Sequence, residues 1–263
     1  FAIMMTFFVL VLSHGASWGW LSYTTLTCVL IGIAAFWLFV RCEHQATHPM
    51  VDLTLFNDWA FSSGNVVALF VFMAISSNLL LLPFYLDQQL HLNPQMIGMT
   101  LFIAPIFILL VAPLSGYFTD RYNPALMTTV GTTILFVGLV AQAFLNAHSP
   151  LYRVLIDQAL VGVGCGFYST PNNYSILRNV ARNKMGTAAG VTSLMRNVGK
   201  ILGITMATST FVTLQRYVEA RPTHTDNAML AFSVGFKGAL LVAAFFIFIS
   251  ILLSISRRKI LAS

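Results

Sequence analysis

The chain has 263 residues, of which 57% are hydrophobic and only 8% are charged; its mean hydropathy is +0.81 and its net charge +6. Soluble domains carry about 25% charged residues, so this composition excludes a water-soluble globular protein. Apolar runs of about twenty residues, the length that crosses a bilayer as a helix, predict an all-α membrane protein. Cytoplasmic lysines and arginines then explain the positive charge, which indicates no nucleic acid partner.

The cysteines and histidines predict neither a disulfide nor a metal site, and no cofactor is expected. Cys28, Cys42 and Cys165 form no CxxC pair. The six histidines are scattered through the connecting segments, as is typical of surface positions.

The first part of the chain, residues 1–60, is predicted to hold two linker spans and a cytoplasmic connection. The first apolar run, Phe1–Leu12, is too short to cross a bilayer and shows no signal-peptide pattern. We therefore expect a truncated span and a longer parent protein. A complete span follows at about Tyr23–Val40. The polar connection Arg41–Phe61 then mixes apolar and charged residues, as is typical of a short amphipathic surface segment.

Six further spans are predicted within residues 61–256, and three of them contain prolines. Their approximate ranges are Ser62–Leu86, Gln95–Phe118, Ala125–Leu145, Leu151–Leu177, Gly186–Leu214 and Val234–Ile255. A bundle of six helices in two groups of three is a known transporter architecture. Residues 257–263 are predicted to form a basic cytoplasmic tail.

The distribution of lysine and arginine predicts the orientation. With the turn at Asp120–Arg121 placed in the cytoplasm, cytoplasmic segments hold eight of the fourteen basic residues and the opposite side holds four. The remaining two lie inside a span. This bias predicts a cytoplasmic C-terminus, although Arg216 and Arg221 oppose it.

The pattern Gly116-x-x-x-Asp120-Arg121 between two spans resembles the loop signature of the major facilitator superfamily. Several other stretches, in their order and spacing, resemble the drug:proton antiporter branch of that superfamily, which has fourteen spans. These stretches are Gly19–Ser22, His48–Phe56, Leu82–Leu86, Leu92–Gly98, Gly162-x-Gly164-x-Gly166, Gly186–Gly190, Arg196–Gly199 and Gly203.

The resemblance implies the last eight of fourteen spans: two linker spans and a six-helix C-terminal bundle, with the N-terminal bundle of the same protein missing. It implies a secondary transporter in the plasma (inner) membrane of a bacterium, exporting small amphipathic compounds of multidrug type against proton entry. Its partners would be the lipid bilayer, a small-molecule substrate and protons. Three residues depart from the family pattern: Asn123 and Pro124 replace a glycine and a basic residue, and Lys200 replaces a small residue.

Asp157 is the only acid well inside a predicted span, about two turns past its start. A carboxyl group at membrane depth is costly, which makes it a functional candidate for binding and releasing a proton. The alternative is a residue near the outer interface that pairs with Arg153 at i−4. Both interpretations stay open on the sequence alone.

The turn residues Gly116, Asp120 and Arg121 are predicted to act as a conformational latch. Asp120 would interact with the positive N-terminus of the next helix, and Arg121 with an acid on a neighbouring helix or in the other bundle. The alternative is an ordinary surface turn whose charges orient the protein.

The remaining site candidates are polar residues within spans. Arg196 and Lys200 share one helical face, where they would either line a water-filled cavity that attracts an anionic group or anchor the helix. The neutral candidates for lining a cavity are Asn78, Tyr168, Asn172 and Asn173.

Glycines at a spacing of four predict close helix packing, at Gly186-x-x-x-Gly190 and at Gly199-x-x-x-Gly203. Gly162, Gly164 and Gly166 lie too close together for one face and would loosen their helix locally. For all these glycines, helix packing is the first interpretation and a hinge the second. The alternative function is a membrane-embedded transferase, for which His48 and Asp52 are the nearest candidate pair. Pro49 between them argues against it, and we expect no enzyme.

Overall fold

A computed structural model of the chain describes residues 22–45, 53–220 and 227–261, and every regular element in these ranges is helical. In chain order, the α-helices are α1 (Tyr23–Gln45), α2 (Trp59–Gln88), α3 (Pro94–Arg121), α4 (Pro124–Ala143), α5 (Leu151–Leu177), α6 (Met185–Glu219) and α7 (Asn227–Leu261). Short 3-10 helices occupy Leu53–Asn57 and Arg182–Lys184. The predicted stub Phe1–Leu12 and the pair His48 and Asp52 lie outside the described residues.

Helices α2, α3, α4 and the Met229–Arg257 part of α7 are long and apolar enough to cross a membrane. Helices α5 and α6 are comparable in length, with 27 and 35 residues, but less apolar. They pack within the same bundle as the four apolar helices. The chain is therefore an all-α membrane protein, as the composition predicts.

Asparagine and aspartate side chains determine where three helices begin. Asn93 and Asn123 precede Pro94 and Pro124, and their side-chain oxygens accept hydrogen bonds from the backbone N–H groups of Met96 at 2.8 Å and Ala125 at 2.9 Å. A proline at the first helical position has no N–H group to leave unpaired. Helices α3 and α4 consequently begin one residue earlier than predicted. Asp58 caps α2 in the same way.

The six helices α2–α7 pack as two connected groups. Helix α5 lies between α3 and α4, whereas α6 lies along α2. Helix α7 contacts α2, α4 and α6 and so joins the two groups. Their shared core is aliphatic and aromatic; it includes Val71, Leu82, Tyr85, Leu135, Leu139, Phe236, Leu240 and Ile247.

A smaller core at one end of the bundle covers the start of α2 and the α5–α6 connection. Leu55 of the first 3-10 helix is buried there beside Phe61 and Ile176, while Phe56 stays partly exposed and packs edge-on against Phe61. Within its described residues, the predicted amphipathic segment thus has one buried apolar side chain, Leu55, with exposed neighbours on either side. It brings the chain before α2 into contact with the connection Arg178–Lys184.

Replacing Asp58 with alanine should lower the free energy of unfolding by about 1–2 kcal/mol, because it removes a helix cap. One carboxylate oxygen accepts from the N–H group of Ala60 at 2.7 Å, and the other accepts from the side-chain amide of Asn179 at 3.1 Å. Thermal unfolding in detergent measures the change. Asp87→Ala, at an exposed position of α2, is the control and should shift the midpoint little. Equal shifts would contradict the capping role.

The three closely spaced glycines of α5 serve two faces of the helix. A Cβ atom at Gly162 would overlap the backbone of Ala104 in α3, and one at Gly164 would overlap the backbone of Leu135 in α4. Gly166 again faces α3, at Val111. The glycines do lie on more than one face, as expected, but they allow α5 to pack tightly between two neighbours and do not loosen it; the interpretation as packing residues is confirmed.

The two predicted glycine pairs in α6 differ in role. Gly199 and Gly203 lie directly on α2, where a Cβ atom would overlap the carbonyl oxygens of Leu69 and Met73. The contact is strengthened by Ser77, whose hydroxyl donates to the carbonyl of Gly203 at 3.0 Å. The packing prediction for Gly186-x-x-x-Gly190 is wrong, because nothing among the described residues lies within 4 Å of a Cβ atom at either position.

Candidate functional site

Asp157 lies inside the bundle, on the seventh residue of α5 and about 9 Å along the axis from its start at about 1.5 Å per residue. Its side chain is 4% exposed, and its Oδ2 atom has no hydrogen-bond partner within the described residues. Arg153 is exposed and forms no ion pair within 4 Å of the Asp157 carboxyl group, on which it acts electrostatically over a longer distance. The hydroxyl of Tyr85, in α2, donates instead to the backbone carbonyl of Asn146 at 2.8 Å.

Gln158, the residue after Asp157, forms a buried polar pair with Asn78. The side-chain amide of Asn78, in α2, donates to the side-chain oxygen of Gln158 at 3.4 Å. Both side chains are buried, so Asn78 connects α2 to α5 in the interior. The prediction that Asn78 lines an open cavity is therefore wrong for this chain. With Asp157, the pair forms a buried polar layer in the half of the bundle where α5 begins.

The most unexpected feature is a fully buried arginine at the other end of the bundle. Arg257 of α7 is 0% exposed; its Nε atom donates to the hydroxyl of Ser63 at 3.0 Å and its Nη1 atom to the side-chain oxygen of Asn172 at 3.3 Å. The amide of Asn172 in turn donates to the carbonyl of Gly64 and to the hydroxyl of Tyr168, both at 3.2 Å. We call these five residues the Arg257 cluster.

At the Arg257 cluster, the structure differs from three predictions. Tyr168 and Asn172 are buried between helices and line no open cavity in this chain. The sequence predicts a basic tail from Arg257, but α7 continues to Leu261 and the Arg257 side chain is buried against α2 and α5. A usable signal was present in the sequence: Ser250, Ser254 and Arg257 form a polar stripe at a spacing of four and three, and all three are fully buried.

Arg196 and Lys200 meet at one aromatic ring. The guanidinium carbon of Arg196 lies 5.4 Å from the ring centre of Phe72 in α2, and the amino nitrogen of Lys200 lies 5.6 Å from it. Arg196 also donates to the side-chain oxygen of Asn173 in α5. The four residues, which we call the Phe72 cluster, bring together α2, α5 and α6. Asn173 and Arg196 are half-buried and Lys200 is exposed, so the cluster opens on the outside of the bundle.

The predicted latch residues lie on a helix and not in a loop. Helix α3 continues through Asp120 and Arg121, and the connection to α4 shrinks to Tyr122 and Asn123. Both charged side chains are exposed, and Arg121 lies 4.3 Å from the ring centre of Tyr117. The N-terminus of α4, with which Asp120 is predicted to interact, is capped by the side chain of Asn123.

A cavity of about 200 Å³ lies beside the smaller core. Its lining includes Asp58, Asn179 and Lys184, and Lys184 contacts the hydroxyl of Thr54 at 3.4 Å. It lies between the 3-10 helix before α2 and the α5–α6 connection, and its lining includes neither Asp157 nor a residue of the Phe72 cluster. Because its polar groups already contact one another, we interpret it as part of the packing of this end.

Residues 1–204 match the family model described as Major Facilitator Superfamily. The Riboflavin transporter RibZ of Clostridioides difficile is 29% identical over 87% of this chain and 50% of that protein. The Multidrug resistance protein Stp of Mycobacterium tuberculosis is 27% identical over 78% of this chain and 39% of its own length. The Quinolone resistance protein NorB of Staphylococcus aureus is 23% identical over 78% of this chain and 44% of its own length.

The chain thus spans half or less of the length of these curated relatives. The family match covers most of the chain, including helices α1 to α5 and the first half of α6. The spans that the sequence predicts and the helices that the structure describes agree with it. This chain belongs to the Major Facilitator Superfamily of membrane transporters.

Proposed function

We propose that this chain forms one six-helix half of a proton-coupled exporter of small amphipathic compounds. Membership of the superfamily supports transport, and the names of two relatives, a multidrug resistance protein and a quinolone resistance protein, support an efflux role. Another relative is named for riboflavin, so the substrate class stays broad. We further propose a bacterial inner membrane location and a cytoplasmic C-terminus, which the two-to-one bias of basic residues favours.

The observation that carries proton coupling is the unpaired carboxyl group of Asp157. It lies inside the bundle with one oxygen lacking any described hydrogen-bond partner and with no ion pair to Arg153. Leaving a carboxylate unpaired at membrane depth costs several kilocalories per mole, so such acids are retained mainly for function. A group in this position gains a proton when the site closes and loses it when water enters.

Replacing Asp157 with asparagine in the complete transporter should reduce pH-driven efflux about tenfold, which corresponds to about 1.4 kcal/mol. Asparagine keeps the shape of the side chain but cannot exchange a proton. Efflux of a fluorescent amphipathic dye from proteoliposomes, with and without an imposed pH gradient, measures the effect. Downhill movement of dye without a gradient should persist in the variant.

Asp87→Asn provides the matched control, because Asp87 is an exposed acid in α2. It should leave the pH dependence unchanged. If Asp157→Asn retains the wild-type response to the gradient, then Asp157 does not couple protons. If both variants lose it equally, a general effect of charge on folding or orientation explains the result.

We propose that the exposed pair Asp120 and Arg121 contacts a second six-helix bundle of the complete protein. Their position at the end of α3, on the surface, supports this role over one inside the chain. Such contacts would break and re-form as the two bundles rock between inward-open and outward-open states. Gly116 lies one turn earlier, with nothing among the described residues within 4 Å of a Cβ atom, so space for a neighbour exists there.

We favour a transporter over the alternative of a membrane-embedded transferase. The family and the named relatives are transporters or resistance proteins. The candidate pair for transferase chemistry, His48 and Asp52, lies outside the described residues and contributes no argument.

A further inference from the structure

The Phe72 cluster places two positive charges beside one aromatic ring, about midway along α2 and on the outside of the bundle. Phe72 lies near the centre of the 30-residue helix α2, and Arg196 and Lys200 lie one turn apart on α6. At about 1.5 Å per residue, Phe72 lies about 20 Å from the start of α2, well inside a hydrocarbon layer of about 30 Å. A pair of cations at this depth needs a compensating anion or water.

No compensating anion is recorded among the described residues. The structure shows no ion pair for Arg196 or Lys200 within the described part of the chain, and the one partner of Arg196 besides Phe72 is the neutral amide of Asn173. The Nε atom of Arg196 is buried and lacks a hydrogen-bond partner there. Two like charges four residues apart repel, so an anion between them would be stabilised by both.

The cluster combines the groups that an aromatic acid would need. The guanidinium of Arg196 suits a planar carboxylate, Lys200 adds an exposed, mobile charge, and the amide of Asn173 adds a polar group. The rim of the Phe72 ring offers an apolar surface beside the charges. The Arg257 cluster differs, because its cation is fully enclosed and closed to any ligand.

We propose that the Phe72 cluster is a binding site for organic anions, in which Arg196 and Lys200 hold the acidic group and Phe72 contacts the apolar body. This inference rests on the proposed transport function and narrows its substrate class to amphipathic compounds that carry a carboxylate or a similar acidic group. Since the acidic headgroup of a lipid presents the same chemistry, the test separates the two sources.

The test measures binding of radiolabelled naphthoate to the complete transporter in nanodiscs of neutral lipid, in parallel with the uncharged naphthamide. Naphthoate should bind about tenfold more tightly than naphthamide. Lys200→Gln should weaken naphthoate binding about tenfold and leave naphthamide binding unchanged, because only the charged group contacts this side chain. Lys200→Arg should retain most of the affinity. Lys200 is exposed, so these variants are expected to fold.

Lys237→Gln is the matched control. Lys237 is another exposed lysine over an aromatic ring, with its amino nitrogen 4.5 Å from the ring centre of Phe144, but it lies on α7 away from the cluster. This variant should bind naphthoate like the wild type. The proposed site would be contradicted if both lysine variants lost naphthoate affinity equally. It would also be contradicted if the wild type bound naphthoate and naphthamide with equal affinity.

Two further outcomes complete the test. If phosphatidylglycerol in the nanodisc abolishes naphthoate binding, the site belongs to a lipid headgroup and the substrate proposal fails. If Asp157→Asn abolishes pH-driven efflux while naphthoate shows no preference over naphthamide, the proposed function stands and the anion site alone is refuted.

Discussion

Replacing Gly203 with alanine should destabilise the protein by about 3 kcal/mol or more, and replacing it with leucine should prevent the folded bundle from accumulating. At this position a Cβ atom would overlap the carbonyl oxygen of Met73, which belongs to the rigid backbone of α2. Overpacking typically costs about 1–3 kcal/mol, and the cost rises where no flexible side chain can move aside. Separating the helices also breaks the bond from Ser77 to the carbonyl of Gly203.

Gly190→Ala is the matched control for this prediction, because Gly190 lies on the same helix and a Cβ atom there meets nothing within 4 Å among the described residues. In a helix, exchanging glycine for alanine stabilises by about 0.5–1 kcal/mol through the entropy of the unfolded chain. The two variants should therefore shift stability in opposite directions. Unfolding in mixed micelles of dodecylmaltoside and increasing SDS measures both. Shifts of the same sign and size would refute the close contact.

The two glycine motifs of α6 show how far the sequence predicts helix packing. The spacing of four in Gly186-x-x-x-Gly190 and in Gly199-x-x-x-Gly203 is identical, and a pattern of small residues reveals a thin helix face without revealing whether a neighbour lies on it. Only the second pair lies on α2. The difference depends on which face of α6 points inward: near the first pair, Ala188 and Val191 are buried while Gly186 and Gly190 are exposed. The spacing of the glycines does not reveal that direction.

The span pattern, by contrast, could be predicted closely, because apolar length is a property of each segment alone. The six predicted spans correspond to α2–α7, with errors at their ends. The end of α3 is an example: Asp120 and Arg121 look like turn residues, yet they complete the last helical turn. Charged side chains at a membrane surface are hydrated whether the backbone is helical or in a turn. Polarity alone therefore does not show where a helix ends.

The same distinction applies to the site residues: the sequence identifies some of them, but their contacts depend on tertiary packing. Asp157 could be singled out because an acid within an apolar run is rare, but the absence of a hydrogen-bond partner for its Oδ2 atom follows from tertiary packing. The sequence predicts a tail at Arg257, because a run of three basic residues begins there and such runs are typical of cytoplasmic ends. Its burial follows from tertiary packing: Ser63 on α2 and Asn172 on α5 approach α7 together.

Replacing Arg257 with alanine should lower the free energy of unfolding by about 3 kcal/mol. Hydrogen bonds from a charged donor contribute about 1.5–3 kcal/mol each, and this side chain forms two of them, to Ser63 and to Asn172. Truncation also leaves a cavity and an unpaired oxygen on the fully buried Asn172. The loss is smaller than the sum of these contributions, because the variant no longer buries a positive charge.

Arg257→Met separates the packing contribution from the polar one. Methionine fills much of the volume and removes the buried charge, so this variant should lose only about 1–2 kcal/mol. Arg182→Ala, at an exposed arginine of the second 3-10 helix, is the control and should stay within about 0.5 kcal/mol of the wild type. The same detergent titration measures all three variants, with equal protein concentrations and lipid content.

The location of the loss provides a second, independent readout. Because the Arg257 cluster joins α2, α5 and α7, its removal should increase amide hydrogen exchange in the first turns of α2 and in the last turns of α5 and α7. Exchange around the polar layer at Asp157, at the other end of the bundle, should change little. Protection that falls evenly along α7, or an Arg257→Ala variant as stable as Arg182→Ala, would show that the buried guanidinium does not hold the three helices together.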